Sequence, residues 1–138
     1  MGYAKTLEIE PSFAISADVL HSNDAEKAVT GGTYAKRKEI ELIKTPYPIG
    51  SLRISFAVYN LGATDVKCKI YRNGVAIGTE RTSVNDVWTT YEEDFDFTDL
   101  STEDTFELWG YNTAGGILGK VREFRLLGIE TGFVNTMV

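Results

Sequence analysis

Acid–base or nucleophilic catalysis needs a group that titrates near neutrality, set beside a nucleophile, a metal or a second acid. This chain of 138 residues has a single histidine, His21, and a single cysteine, Cys68. The two lie in different sequence contexts, and no serine sits in a Gly-x-Ser-x-Gly elbow. One histidine and one cysteine cannot fill a zinc site without several carboxylates. His21 reads as a loop residue. Cys68 falls in the alternating run Val66-Lys67-Cys68-Lys69-Ile70, which places it on the apolar side of a strand as a small buried hydrophobe. A lone thiol also excludes an intrachain disulfide.

Carboxylates are the remaining candidates for chemistry, and Glu92, Glu93, Asp94, Asp96, Asp99, Glu103 and Asp104 form the one acidic concentration. A glycosidase pair would face across a cleft, and a calcium site would gather several oxygens from one loop. Glu92, Asp94 and Asp96 instead alternate with Glu93, Phe95 and Phe97, so they share the solvent face of a strand. The Asp-x-Asp-x-Asp-Gly pattern of a calcium loop is absent. No catalytic, cofactor-binding or metal site is expected, and the chain reads as a non-enzyme. Aromatic residues offer an interaction surface instead. Trp88, Tyr91, Trp109 and Tyr111 come from strands that could be neighbours. If Phe106 and Leu108 are core, Trp109 and Tyr111 point outward, able to stack on a sugar or to be covered by another subunit. A local reversal of faces would make Trp109 core. The apolar segment 132–138 adds Phe133, Val134 and Met137 to the candidate surface.

The elements that must position these residues follow a period of two. From Thr33 onward, Tyr34, Lys36, Lys38, Ile40 and Leu42 mark a strand that Pro46 and Pro48 bring to an end. Leu52, Ile54, Phe56 and Val58 mark the next, and Asn60-Leu61-Gly62-Ala63 turns the chain before Val66, Cys68 and Ile70. Asn73-Gly74 between apolar runs predicts a tight hairpin. A strand from Val87 through Phe97 follows, then a polar loop, then Phe106 and Leu108. Asn112-Thr113-Ala114-Gly115-Gly116 reads as a second hairpin turn. In the last strand, 119–129, the apolar phase shifts between Val121 and Phe124, which predicts a bulge. Before Thr33, Leu7, Ile9, Phe13 and Ile15 suggest a strand interrupted near Pro11, and Ser22 to Val29 reads as one capped helical turn ended by Gly31-Gly32. The expected fold is all-β, a two-sheet antiparallel sandwich of the jelly-roll type with roughly seven to nine strands. The expected division is an N-terminal arm or irregular segment with a first strand (1–32), a sandwich core (33–129) and a C-terminal tail (130–138).

Composition narrows the partners. Apolar residues make up 43% and charged residues 25%, as in a globular domain. With 14 basic and 20 acidic side chains, the net charge of −6 repels phosphate backbones and anionic lipid, so neither nucleic acid nor membrane is an expected partner. Lys36-Arg37-Lys38, the only basic cluster, reads as a solvated strand face. No apolar run reaches membrane-spanning length, and the first residues lack the apolar stretch of a signal peptide.

From Ser51 to Leu127 the chain resembles jelly-roll domains of tailed-phage virion proteins, and also carbohydrate-binding modules of the galactose-binding-like kind. The residues that carry the likeness are Val66 to Gly74, Trp88-Thr89-Thr90-Tyr91, Phe106-Glu107-Leu108-Trp109-Gly110 and Val121-Arg122-Glu123-Phe124-Arg125-Leu126. The sugar-binding modules often carry an Asp on the last strand near calcium or ligand, where Glu123 is the nearest match in character. The resemblance implies a non-enzymatic structural protein of a virus particle, a capsid decoration or tail component. Such a protein would be made in the host cytoplasm and located in the virion. It would form a homo-oligomer such as a trimer and contact other virion proteins through arms at Met1–Phe13 and Gly128–Val138. The alternative implied is a non-catalytic carbohydrate-binding module with a glycan as partner.

Overall fold

A strand whose every second side chain is apolar must pair with neighbours to satisfy its backbone, and the resulting sheet must cover its apolar face with another layer. The computed structural model describes residues 19–42, 50–62, 65–113 and 118–129, and these form strands and no helix. In chain order the strands are β1 (Val19–Asn23), β2 (Lys27–Ala28), β3 (Ala35–Glu41), β4 (Gly50–Asn60), β5 (Val66–Arg72), β6 (Val75–Ala76), β7 (Arg81–Thr82), β8 (Thr89–Phe97), β9 (Thr105–Asn112) and β10 (Gly119–Gly128). Sheet A has the order β1-β10-β4-β8, with β2 also on β10. Sheet B has the order β3-β9-β5-β6, with β7 also on β5. Every ladder between these strands is antiparallel. From β3 onward the longer strands go alternately to B, A, B, A, B and A. That crossing order is the jelly roll, and the expected two-sheet sandwich is observed.

The inward side chains close one core. Ile54, Phe56, Val58, Phe106, Leu108 and Phe124 are each at most 1% exposed, and each such burial contributes about 1.5–3 kcal/mol. Cys68 is part of this core, and burial pushes its thiol up to about 12. The predicted hairpin lies at Asn73-Gly74, both at positive φ (50° and 81°), as a two-residue turn of this hand requires. The predicted bulge is also present. The β10–β4 register shifts between Arg122 and Arg125, and Glu123 takes φ 56°.

Several expectations fail for identifiable reasons. Asn112 to Gly116 does not close a hairpin, because β9 and β10 lie in different sheets. Period-two alternation identifies an inward face but not a strand's neighbour. Ser22 to Val29 forms the end of β1, a turn and β2, with no helical turn. Its backbone is satisfied across strands: Glu123 N–H donates to Asp24 O (3.2 Å) and Val29 N–H to Gly119 O (2.8 Å). Residues 19–29 are thus part of the sandwich, and Val29 is fully buried in its core. His21 is not a loop residue but stands in β1 opposite Leu126. Lys36-Arg37-Lys38 is not one solvated face: Lys38 stays in phase with the core residues Ile40 and Leu42 and is only 6% exposed, while the β3–β9 register shift before it turns Lys36 to the exposed side. The Lys38 ammonium donates to Asn23 Oδ1 (2.7 Å) and to Ala25 O, and burial lowers its pKa from the usual lysine value. Arg37 donates to Gly110 O (3.0 Å) and Thr30 O (2.5 Å). The strand end proposed at Pro46 and Pro48, and the terminal segments 1–18 and 130–138, lie outside the described residues.

Candidate functional site

Residues directly opposite in an antiparallel pair share a face, so the register of β3, β9 and β5 writes out the exposed side of sheet B. One row runs Lys36–Trp109–Lys69, the next Glu39–Glu107–Tyr71, and a third pairs Tyr111 with Lys67. Trp109 and Tyr111 therefore stand on the outer face, with Phe106 and Leu108 beneath them in the core. Trp109 and Tyr71 stack with centroids 4.4 Å apart and planes 11° from parallel. Tyr111 meets Tyr34 edge to face at 4.7 Å. Four aromatic rings from three adjoining stretches of chain thus line one sheet face.

Charged groups hold these rings in place. Glu107, only 4% exposed, accepts a hydrogen bond from Trp109 Nε1 (2.8 Å) and another from Thr105 Oγ1 (2.6 Å). The indole is thereby fixed about its long axis. Tyr34 donates its hydroxyl to Glu80 (2.5 Å); burial, and then that carboxylate, push its phenol above the usual tyrosine range. Lys69 Nζ lies 5.2 Å from the centre of the Tyr34 ring. Lys36 bonds Glu39 at 2.5 Å, which raises its ammonium pKa. The face carries aromatic surface interleaved with oriented donors and acceptors.

The acidic stretch divides into separate structural roles. Asp94 pairs with Arg53 (2.8 and 3.1 Å) and Asp96 accepts from Ser51 (2.5 Å) on the outer face of sheet A. Glu93 turns the other way and accepts from Thr79 N–H (3.0 Å) and Thr79 Oγ1 (3.1 Å). Asp99 and Asp104 both bind Arg72, at 2.9 and 2.7 Å. Among the described residues no group of three or more His, Cys, Asp or Glu is placed to hold a metal ion. No helix among them is long and apolar enough to cross a membrane.

The aromatic candidates do not assemble into one platform. Trp109 and Tyr111 are on sheet B. Trp88 lies against Tyr59 of sheet A, with centroids 5.3 Å apart. Tyr91 points between the sheets, 5.9 Å from Phe56, and donates its hydroxyl to Thr82 O (2.5 Å). Trp88 and Tyr91 are three residues apart, so in a strand they face opposite ways, a signal present in the spacing. Phe133, Val134 and Met137 lie outside the described residues. Sequence reasoning missed Tyr34, Tyr71, Glu107 and Lys69. Tyr71 and Lys69 share the outward phase of β5 with Lys67, but their register against β9 is not legible without the structure.

The sequence matches no protein-family model and no curated protein. Solved structures of similar outline include the CBM22-1 xylan-binding domain from Paenibacillus barcinonensis Xyn10C. It is 15% identical, covers 86% of this chain and 99% of its own, and superposes with a TM-score of 0.46. TmCBM61, solved in complex with beta-1,4-galactotriose, is 14% identical over 75% of this chain and 68% of its own, with a TM-score of 0.47. The EclA C-terminal domain, a sugar-binding protein, is 13% identical over 83% of this chain and 72% of its own, with a TM-score of 0.44. The jelly-roll assignment itself rests on the strand order and register above.

Proposed function

We propose that the chain is a non-catalytic carbohydrate-binding module whose recognition surface is the outer face of sheet B. The observation that carries this reading is the Trp109–Tyr71 stack, with its indole fixed by buried Glu107 and its register neighbours Lys36 and Lys69 on either side. A sugar presents an apolar C–H face and a rim of hydroxyls, so it suits rings interleaved with donors and acceptors. The core of a protein–protein interface is instead depleted in charge, unlike this face. A role as a capsid-decoration or tail component, with its homo-oligomer and virion location, draws on the terminal segments outside the described residues. The described surface offers it no support.

The test is isothermal titration calorimetry with a panel of neutral oligosaccharides. At least one glycan should give a saturable heat of binding, and Trp109→Ala should weaken that binding by about thirtyfold or more while leaving the circular dichroism unchanged. Subunit adhesion predicts no glycan response. A silent panel, or undiminished binding by Trp109→Ala, overturns the reading.

A further inference from the structure

The outer face of sheet A carries three arginines, and they are used differently. Arg53 makes a two-pronged pair with Asp94 (2.8 and 3.1 Å), and Arg125 makes one with Asp24 (2.9 and 3.1 Å). Arg122 has no such partner. Its guanidinium carbon lies 3.8 Å from the centre of the Trp88 ring, and its Nε is buried without any hydrogen-bond acceptor among the described residues. The nearest carboxylate oxygen, on Glu123 in the bulge, stays 3.8 Å from that Nε, beyond hydrogen-bond reach. Tyr59 lies against the same indole, its ring centre 5.3 Å away.

A guanidinium laid on an indole is held flat and loses little freedom when it binds. Its planar fork matches a carboxylate, which accepts two parallel N–H bonds. Beside it, Tyr59 and the edge of Trp88 offer half-buried aromatic surface of the kind a pyranose ring lies against. In a protein of net charge −6, an arginine fixed in place, whose one carboxylate neighbour, Glu123, stands 3.8 Å from its Nε without a hydrogen bond, is a local attraction for an anion. We propose that Arg122, Trp88 and Tyr59 form a second binding site, on the face opposite Trp109, for the carboxylate of a uronic-acid residue in an acidic glycan. Assigning the carboxylate to a sugar rests on the glycan reading of sheet B, whereas the preference for a carboxylate rests on Arg122 alone.

The chain has two tryptophans, so Trp109→Phe leaves Trp88 as the only indole reporter. This variant is titrated with a galacturonic acid trimer, a galactose trimer and sodium acetate. The galacturonate trimer should shift the Trp88 emission saturably, and more weakly as salt rises. The galactose trimer and acetate should leave it unmoved at the same concentration. Adding Arg122→Lys keeps the charge and removes the fork, and should weaken binding about tenfold or more; Arg122→Gln should abolish it. A Trp88 response to the galactose trimer overturns the carboxylate preference, and an equal response to acetate overturns recognition of the sugar. Undiminished binding by Arg122→Lys overturns the role of the fork. Because Trp109 is already replaced, failure here is separate from failure of the sheet B reading, which Trp109→Ala tests with neutral glycans on the otherwise native chain.

Discussion

The two outer faces of the sandwich hold similar residues and put them to different use. On sheet A, carboxylates neutralise arginines: Asp94 holds Arg53 and Asp24 holds Arg125. On sheet B, carboxylates orient aromatic rings: Glu107 holds the Trp109 indole and Glu80 the Tyr34 hydroxyl. A charge spent on a cross-strand ion pair ties two strands together and leaves little to offer a ligand. A carboxylate that fixes a ring leaves the ring's surface presented. The lesson is that acidic residues become informative only once their partners are known, and partners are set by register.

The largest expected effect lies beneath both faces. Phe56 of sheet A and Phe106 of sheet B are 1% and 0% exposed in the same core cluster. Phe56→Ala and Phe106→Ala should each lower the unfolding free energy by about 3–5 kcal/mol, measured by urea denaturation. Similar losses would restrict the difference between the sheets to their surfaces. A loss below about 1 kcal/mol for one of them would mean that its sheet packs loosely, and the comparison would have to include the core.

What could be read beforehand divides along the same line. The inward face of β4, the Asn73-Gly74 turn and the bulge at Glu123 depend on local pattern, which a sequence displays directly. Strand partnership does not. The segment after Asn112 resembles a hairpin because Gly-rich turns join strands within a sheet and between sheets alike. The burial of Lys38 follows its phase with Ile40 and Leu42, but the bulge one residue earlier in β3 turns Lys36 to the other side, and nothing in Lys36-Arg37-Lys38 marks that shift. At the site, the phase of Trp109 against Leu108 leaves two alternatives, outward or core through a local reversal, and the register of β9 against β3 and β5 decides for outward. The stacking of Trp109 on Tyr71 and its hydrogen bond to Glu107 belong to the fold.

A smaller effect is expected where an arginine is paired at the end of the sandwich instead of on a face. The Arg72–Asp104 pair (2.7 Å) is largely enclosed, with side-chain exposures of 16% and 8%. Burial alone would raise the Asp104 carboxyl, but hydrogen bonds from Asn73, the Ser101 N–H and Arg72 hold it below the usual carboxylate range. Asp104→Ala leaves those donors without their acceptor and should cost on the order of 2–3 kcal/mol. The pH dependence has a definite sign. A folded-state pKa below the unfolded one contributes stability that is present above about pH 4 and lost as pH falls through the folded value. The melting temperature of the native chain should therefore fall on acidification below about pH 4, and Asp104→Asn should flatten that acid limb. An unchanged acid limb in Asp104→Asn would assign the acid sensitivity to other carboxylates.

The smallest effect isolates exposure as the variable. Arg125 and Asp24 meet in the same two-pronged geometry, at 2.9 and 3.1 Å, but their side chains are 36% and 48% exposed. The hydrogen bonds from Arg125 still hold the Asp24 carboxyl below its usual value. Water, however, solvates both groups once they separate, so most of that attraction is returned on breaking the pair. The backbone contact survives too, because Asp24 O accepts Glu123 N–H whatever the side chain is. Asp24→Ala should then cost about 0.2–1 kcal/mol, and the loss should shrink further in high salt. Side-by-side denaturation with Asp104→Ala is the decisive measurement. If Asp24→Ala costs as much as Asp104→Ala, bidentate geometry outweighs burial in this sandwich. The ion pairs of sheet A would then be structural clasps, and the division of labour between its two faces would need a different physical basis.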